Sequence, residues 1–156
     1  MNVVLNSSKK RKFMMLLVII VGGYLLWLWY RPMKVINVHQ RGSYSVVLVK
    51  DYPFSDREKM KWWLKNKEML KVKYNTPKPD EDGRYRVILW DFDEGYKEEG
   101  KYDRLCFDDM KPPINCVDKN AMMIIQHSKD NITQITVGNE YYILQDNGQF
   151  VKRKRN

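Results

Sequence analysis

The chain has 156 residues, with 28 Lys and Arg against 19 Asp and Glu and a formal net charge of +9. That length holds one domain and a small appendage, not two full domains. A basic excess raises nucleic acid as a partner, yet the first thirty residues hold four cations and no acid, which leaves the rest at only +5.

Aromatic residues make up 13%, with five Trp and ten Tyr, too many for a disordered chain. Two cysteines exclude a disulfide-dense scaffold, and two histidines leave little material for a zinc site.

From the N-terminus, Phe13–Tyr30 reads FMMLLVIIVGGYLLWLWY, 18 residues without a charge. A helix of that length spans roughly 27 Å, close to the ~30 Å hydrocarbon core of a bilayer. Lys9, Lys10, Arg11 and Lys12 precede it. The positive-inside rule therefore keeps residues 1–12 in the cytoplasm, and Trp27, Trp29 and Tyr30 fall at the outer interface. Gly22 and Gly23 permit close helix approach but read first as lipid-facing residues. A cleaved secretory signal is the competing reading. The end Trp-Leu-Trp-Tyr-Arg-Pro has no small-residue cleavage triplet, so the span is expected to remain as a signal anchor and residues 31–156 to be exported.

Export changes the reading of the cysteines. Cys106 and Cys116 are separated by nine residues, which is wrong for a C-x-x-C redox pair. Outside the cytoplasm they are expected to be oxidised, in a loop turned by Pro112-Pro113, as one structural disulfide.

Within 31–156, Val35–His39 and Tyr44–Val49 have strand character and flank a hairpin turn at Arg41-Gly42-Ser43. Ser55 to Tyr74 reads as a helix with Ser55 and Glu58 as a capping box, and Met60, Trp63, Leu64, Leu70 and Tyr74 near one face. Beyond Thr76-Pro-Lys-Pro79 the signals are all β: Tyr85–Phe92, a short piece within Tyr102–Phe107, Ala121–Gln126, Ile132–Val137, Glu140–Leu144 and Gln149–Lys152. The expectation is an α+β domain, an antiparallel sheet of six or seven strands covered on a face by one long helix.

The layout Lys9–Lys12, apolar span, Arg31-Pro32, then W-W-L-K-N-K at 62–67, Y-N-T-P-K-P-D at 74–80 and K-Y-D-R-L-C-F-D-D-M at 101–110 resembles a family of small predicted inner-membrane proteins of enterobacteria with no assigned function. The likeness runs over nearly the whole chain. It implies a Gram-negative inner-membrane protein with a periplasmic domain, and no activity or catalytic residue.

Chemistry-bearing motifs are sparse. No G-x-S-x-G, S-x-x-K or H-E-x-x-H occurs. His39 and His127 lack Asp, Glu or His at ligand spacing, so each reads as a surface or strand-end imidazole. An EF-hand loop starting at Asp91 would need Gly and Glu where Tyr96 and Tyr102 stand, so the acidic stretch 91–103 reads as a solvated loop. No catalytic residue, cofactor, metal or small-molecule substrate is expected. The Lys-Arg-Lys-Arg tail at 152–155 meets exported contents, which disfavours DNA and RNA and leaves a frayed terminus, anionic lipid or an acidic partner. Trp63 belongs to the core face. Trp62 lies nearer the lysine face and either packs at the sheet edge or stands out as an anchor.

The expected function is thus non-enzymatic binding of a protein partner from an anchor in the bilayer. Three classes stay open: an immunity protein that neutralises a toxin from a competing bacterium, an accessory subunit or adaptor of an inner-membrane complex, and an envelope enzyme with an unseen site. For a binder, the candidate contacts are Trp62 and the loop bearing Asp91, Asp93, Tyr96 and Glu99, where aromatic and fixed charge stand together.

Overall fold

The computed structural model describes residues 7–29 and 31–154; Tyr30 of the expected span and Arg155 of the basic tail lie outside them. The chain forms two units, Met1–Pro32 and Met33–Asn156. The first is the helix α1, Ser7–Trp29. It begins before the apolar run, so Lys9 to Lys12 occupy its opening turns. Its segment Ser8–Leu28 is long and apolar enough to cross a membrane, and none of it is buried inside the protein. Apolar side chains point outward all around it, from Phe13 through Ile19 and Ile20 to Leu26, the pattern that a bilayer-crossing helix requires. Tyr24 stacks on Trp27, and the Arg31 guanidinium sits 4.6 Å over the same indole.

The second unit contains β1 (Lys34–Arg41), β2 (Tyr44–Lys50), α2 (Asp56–Tyr74), β3 (Tyr85–Asp91), β4 (Lys97–Glu98), β5 (Arg104–Cys106), β6 (Ile114–Asp118), β7 (Ala121–His127), β8 (Thr133–Val137), β9 (Glu140–Leu144) and β10 (Phe150–Arg153). Local chemistry accounts for the boundaries. A tight turn joins β1 to β2, with Arg41 opposite Tyr44 and Gly42 at φ 62°, a region open to glycine without a Cβ clash. The Ser55 hydroxyl accepts from the Glu58 N–H at 3.2 Å and caps α2. Glu58 does not return the bond; its carboxylate pairs with Lys61 at 2.9 Å. At the other end Asn75 is left-handed, and the N–H groups of Asn75 and Thr76 close back onto the carbonyls of Lys71 and Leu70.

Seven strands form one sheet in the order β1-β2-β3-β7-β8-β9-β10. All its neighbours are antiparallel except β2 and β3, which run parallel. This is the departure from a wholly antiparallel expectation. α2 intervenes between β2 and β3 and carries the chain back to the starting end of the sheet, as a crossover must.

Strand burial tells how the layers stack. Every residue from Ser45 to Val49, and from Val87 to Trp90, is buried. Because side chains alternate across a strand, such runs need cover on both faces. On one face Val47, Val49, Val87, Leu89, Met123 and Ile125 pack with Met60, Trp63 and Leu70 of α2. On the other, Val46, Leu48, Ile88 and Trp90 meet Phe107 and Val117. That second cover is a separate three-stranded sheet, β4-β6-β5, which hydrophobic pattern alone did not reveal.

The expected disulfide is present: Cys106 on β5 faces Cys116 on β6 as directly paired residues, with an S–S bond of 2.08 Å and Cα atoms 3.9 Å apart. Cys116 stands on a strand rather than in a loop, because β6 gains its hydrogen bonds from pairing on both sides.

Candidate functional site

The two sheets meet around a polar cluster that starts on β1. His39 is 4% exposed. Its ring lies flat on Phe107, centroids 3.7 Å apart, and the edge of Tyr96 closes a second side. Nδ1 is within 2.8 and 2.9 Å of the two Asp109 carboxylate oxygens, and Nε2 is 2.8 Å from the Tyr96 hydroxyl. The Asn37 amide NH₂ donates to that same hydroxyl at 2.8 Å, while the Asn37 carbonyl accepts from the Val38 N–H at 2.9 Å.

Val38 N–H can only donate, so the Asn37 Oδ1 faces it and Nδ2 faces Tyr96. The Tyr96 hydroxyl in turn bonds His39 Nε2, and His39 Nδ1 bonds the Asp109 carboxylate, so one path of hydrogen bonds joins the four side chains. Burial holds the Tyr96 phenol above its ordinary pKa, against the bond from Asn37 and with a smaller push from the Asp109 charge. Tyr96 therefore stays a neutral phenol at physiological pH.

The reading of His39 as a surface or strand-end imidazole is overturned: it is buried and bonded to a carboxylate. Its partner, Asp109, is 70 residues away in sequence and reaches it because the loop between β5 and β6 folds over β1. The cluster ties β1, the β3–β4 loop and the β5–β6 loop together.

The candidate contacts from the sequence do not form one surface. Tyr96 turns inward to His39. Asp93 and Glu99 are exposed. Asp91, at the end of β3, is half-buried and takes a long contact from the Asn120 amide at 3.4 Å. Burial first, then the neighbouring Asp93 charge, raise the Asp91 carboxyl above the usual range, while Lys50 and a bond from Tyr52 pull it back. Asp91, Asp93, Glu94, Asp118 and Asn120 line a cavity of about 200 Å³. Asp118 is drawn the other way: hydrogen bonds from Lys97, then Arg104, lower its pKa. Lys97 bridges Asp118 and Glu94, and Arg104 donates to Asp118 at 2.8 Å, so the acid fastens β4, β5 and β6 together. Among the described residues no three His, Cys, Asp or Glu side chains gather as a metal would require.

Trp62 is half-buried: part of its side chain packs against the α2-side core, as Leu64 and Tyr74 do, and the rest meets solvent. His127, the second histidine, stacks on Tyr85 at 5.0 Å and bonds Thr133 at 2.8 Å.

The family model described as "Enterobacterial putative membrane protein (DUF943)" matches residues 5–154, and the chain belongs to that family. Neither the curated proteins nor the solved structures contain a match to it. The family description agrees with the one candidate span found among the described residues, in α1.

Proposed function

We propose that this membrane protein is a non-enzymatic binding protein, anchored in the inner membrane with residues 1–12 cytoplasmic and the folded domain periplasmic. Its task in this reading is that of an immunity protein, which occupies a toxin delivered by a competing bacterium. The observation that carries the reading is the pairing of one apolar N-terminal helix with a disulfide-closed domain behind it. A disulfide persists in an oxidising compartment, four cations precede the span, and a charged surface steers a partner into fast encounter. Asp93 and Glu99 are exposed where such steering acts.

The experiment is a competition assay. Cells making the full chain, and cells lacking it, are challenged with strains that deliver periplasm-acting toxins, and survival is counted. Protection confined to cells with the chain is the expected result. No protection, with the chain instead co-purifying with an inner-membrane complex, replaces this reading with the adaptor one. A reporter that works only outside the cytoplasm, fused after Asn156, tests orientation, and its silence overturns the compartment.

A further inference from the structure

The seven-stranded sheet ends at β10, and among the described residues nothing pairs with its outer side. The turn before it determines which backbone groups point outward. Gln145 N–H donates to Gln149 O at 2.8 Å, and Gly148 N–H donates to Gln145 O at 2.9 Å with Gly148 at φ 79°. Gln145 and Gln149 are thus a hydrogen-bonded pair. In an antiparallel ladder such pairs alternate with non-bonded ones, so Ile143–Val151 and Tyr141–Arg153 are bonded, and Leu144–Phe150 and Tyr142–Lys152 are not. The N–H and C=O groups of Phe150 and Lys152 therefore face away from β9.

Beside this edge a cleft of about 560 Å³ opens between α2 and the β9–β10 hairpin. Met60 and Leu64 from α2 and Tyr142 and Phe150 from the hairpin supply apolar walls, and Arg57 and Lys61 supply charge; no acid lines it. Residues 57, 60, 61 and 64 have the i, i+3, i+4, i+7 spacing of a single helix face. Lys61 shares its charge with Glu58, whereas Arg57 has no acidic partner among the described residues. On β10, Lys152 pairs with Glu140 while Arg153, and Lys154 just after the strand, add cations next to the open backbone.

We propose that the β10 edge and this cleft together dock an extended, acidic segment of a partner protein, which adds a strand to the sheet. Main-chain bonds to Phe150 and Lys152 supply register; on the α2 side apolar side chains enter the cleft and carboxylates beside them meet Arg57 and Lys61, while carboxylates on the opposite face meet Arg153. A second copy of this chain is a poor occupant, since pairing β10 with itself sets Lys152 and Arg153 against like charges. A bilayer surface is a poorer one, because it presents no row of alternating N–H and C=O groups to continue the ladder. The surface deepens the binding reading above by stating the partner's chemistry.

The test uses the full chain in lipid nanodiscs and a labelled synthetic peptide of about eight residues, a strand's length, repeating Glu-Glu-Val-Val so that each face carries both residue types. Its counterpart repeats Lys-Lys-Val-Val, and vesicles of anionic phosphatidylglycerol are the third probe. Saturable binding of the acidic peptide alone is expected. The double substitution Arg57→Glu, Lys61→Glu should weaken it by about tenfold or more. Lys152→Pro removes an outward N–H without taking a bond from the ladder and should abolish binding, while Lys152→Ala keeps the N–H and should retain it. Slowed amide exchange at Phe150 and Lys152 on peptide addition is the matching signature.

Equal binding of both peptides, unchanged binding by the Arg57/Lys61 double variant, or capture by vesicles alone overturns the proposal. Should Lys152→Pro lose its fold, the double variant on α2 and the exchange measurement still decide the matter. A chain that protects cells but ignores the peptide sinks this surface alone. One that binds the peptide and protects no cell keeps the surface and sinks the immunity role.

Discussion

The two faces of the seven-stranded sheet are held by different physics. The α2 face is an ordinary hydrophobic core, with Trp63, Leu70, Val47, Val87, Met123 and Ile125 each at most 1% exposed. The opposite face is covered by three short strands of two to five residues, too small to hold by burial alone. It is fastened by one disulfide, by Asp118 bridging Lys97 and Arg104, and by the hydrogen bonds that link Asn37, Tyr96, His39 and Asp109. Among the described residues its buried Trp90 indole N–H meets no protein acceptor. The lesson is that a small layer becomes stable through cross-links and directed polar contacts where it cannot bury enough apolar area.

The largest test of this contrast is Trp63→Ala, which empties the α2-side core and should cost about 3–5 kcal/mol in denaturant unfolding. Trp62→Ala, next to it, removes only half-buried area and should cost about 1–2 kcal/mol, so the neighbouring pair separates core from margin. A value for Trp62 near zero would return it to the solvent as a free anchor.

On the opposite face, Cys116→Ser should destabilise by about 2–3 kcal/mol, since it opens a short covalent loop. Adding reductant to the wild type should produce the same loss and none in the variant. If reduction changes nothing, the small sheet is held by its packing and the contrast fails.

Tyr96→Phe should follow at about 2 kcal/mol, because it leaves both His39 Nε2 and the Asn37 amide without a partner in a half-buried place. Raised hydrogen exchange should appear in the β3–β4 and β5–β6 loops and not in α2. Uniform loss across the domain would show that the cluster is not confined to one layer.

The smallest effects concern pH, and the two acids of the 200 Å³ cavity should move oppositely. Asp118 has a lowered pKa in the fold. Its contribution is present above the unfolded carboxylate value near 4 and is lost as pH falls below that. Asp91 has a raised pKa. Its ionised form is the disfavoured one, so stability declines as pH rises through the interval above the unfolded value. Asp118→Asn should then flatten the acid limb of a stability–pH curve, and Asp91→Asn should raise the neutral plateau slightly with no gain in strong acid. The same sign for both variants would mean that the cavity acts as a single solvated patch.

What was readable in the chain were features with local causes. The apolar run of α1, the Ser55 cap and apolar face of α2, the strands bounded by Gly and Asn turns, and the Cys106–Cys116 link follow from periodicity, turn chemistry and spacing. The short strands β4 and β6 escaped notice, because two to five residues carry no periodic signal and gain their bonds only from partners.

Composition and hydropathy by themselves determined a single apolar span and an α+β domain with one helix cover. Only the tertiary structure decided that β2 and β3 run parallel and that a second layer buries Val46, Leu48 and Ile88. It alone brought Asp109 and Tyr96 to His39 from 70 and 57 residues away. A sequence displays what a residue does with neighbours a few positions off. Contacts closed across long loops depend on how whole layers stack, and no local pattern encodes their geometry.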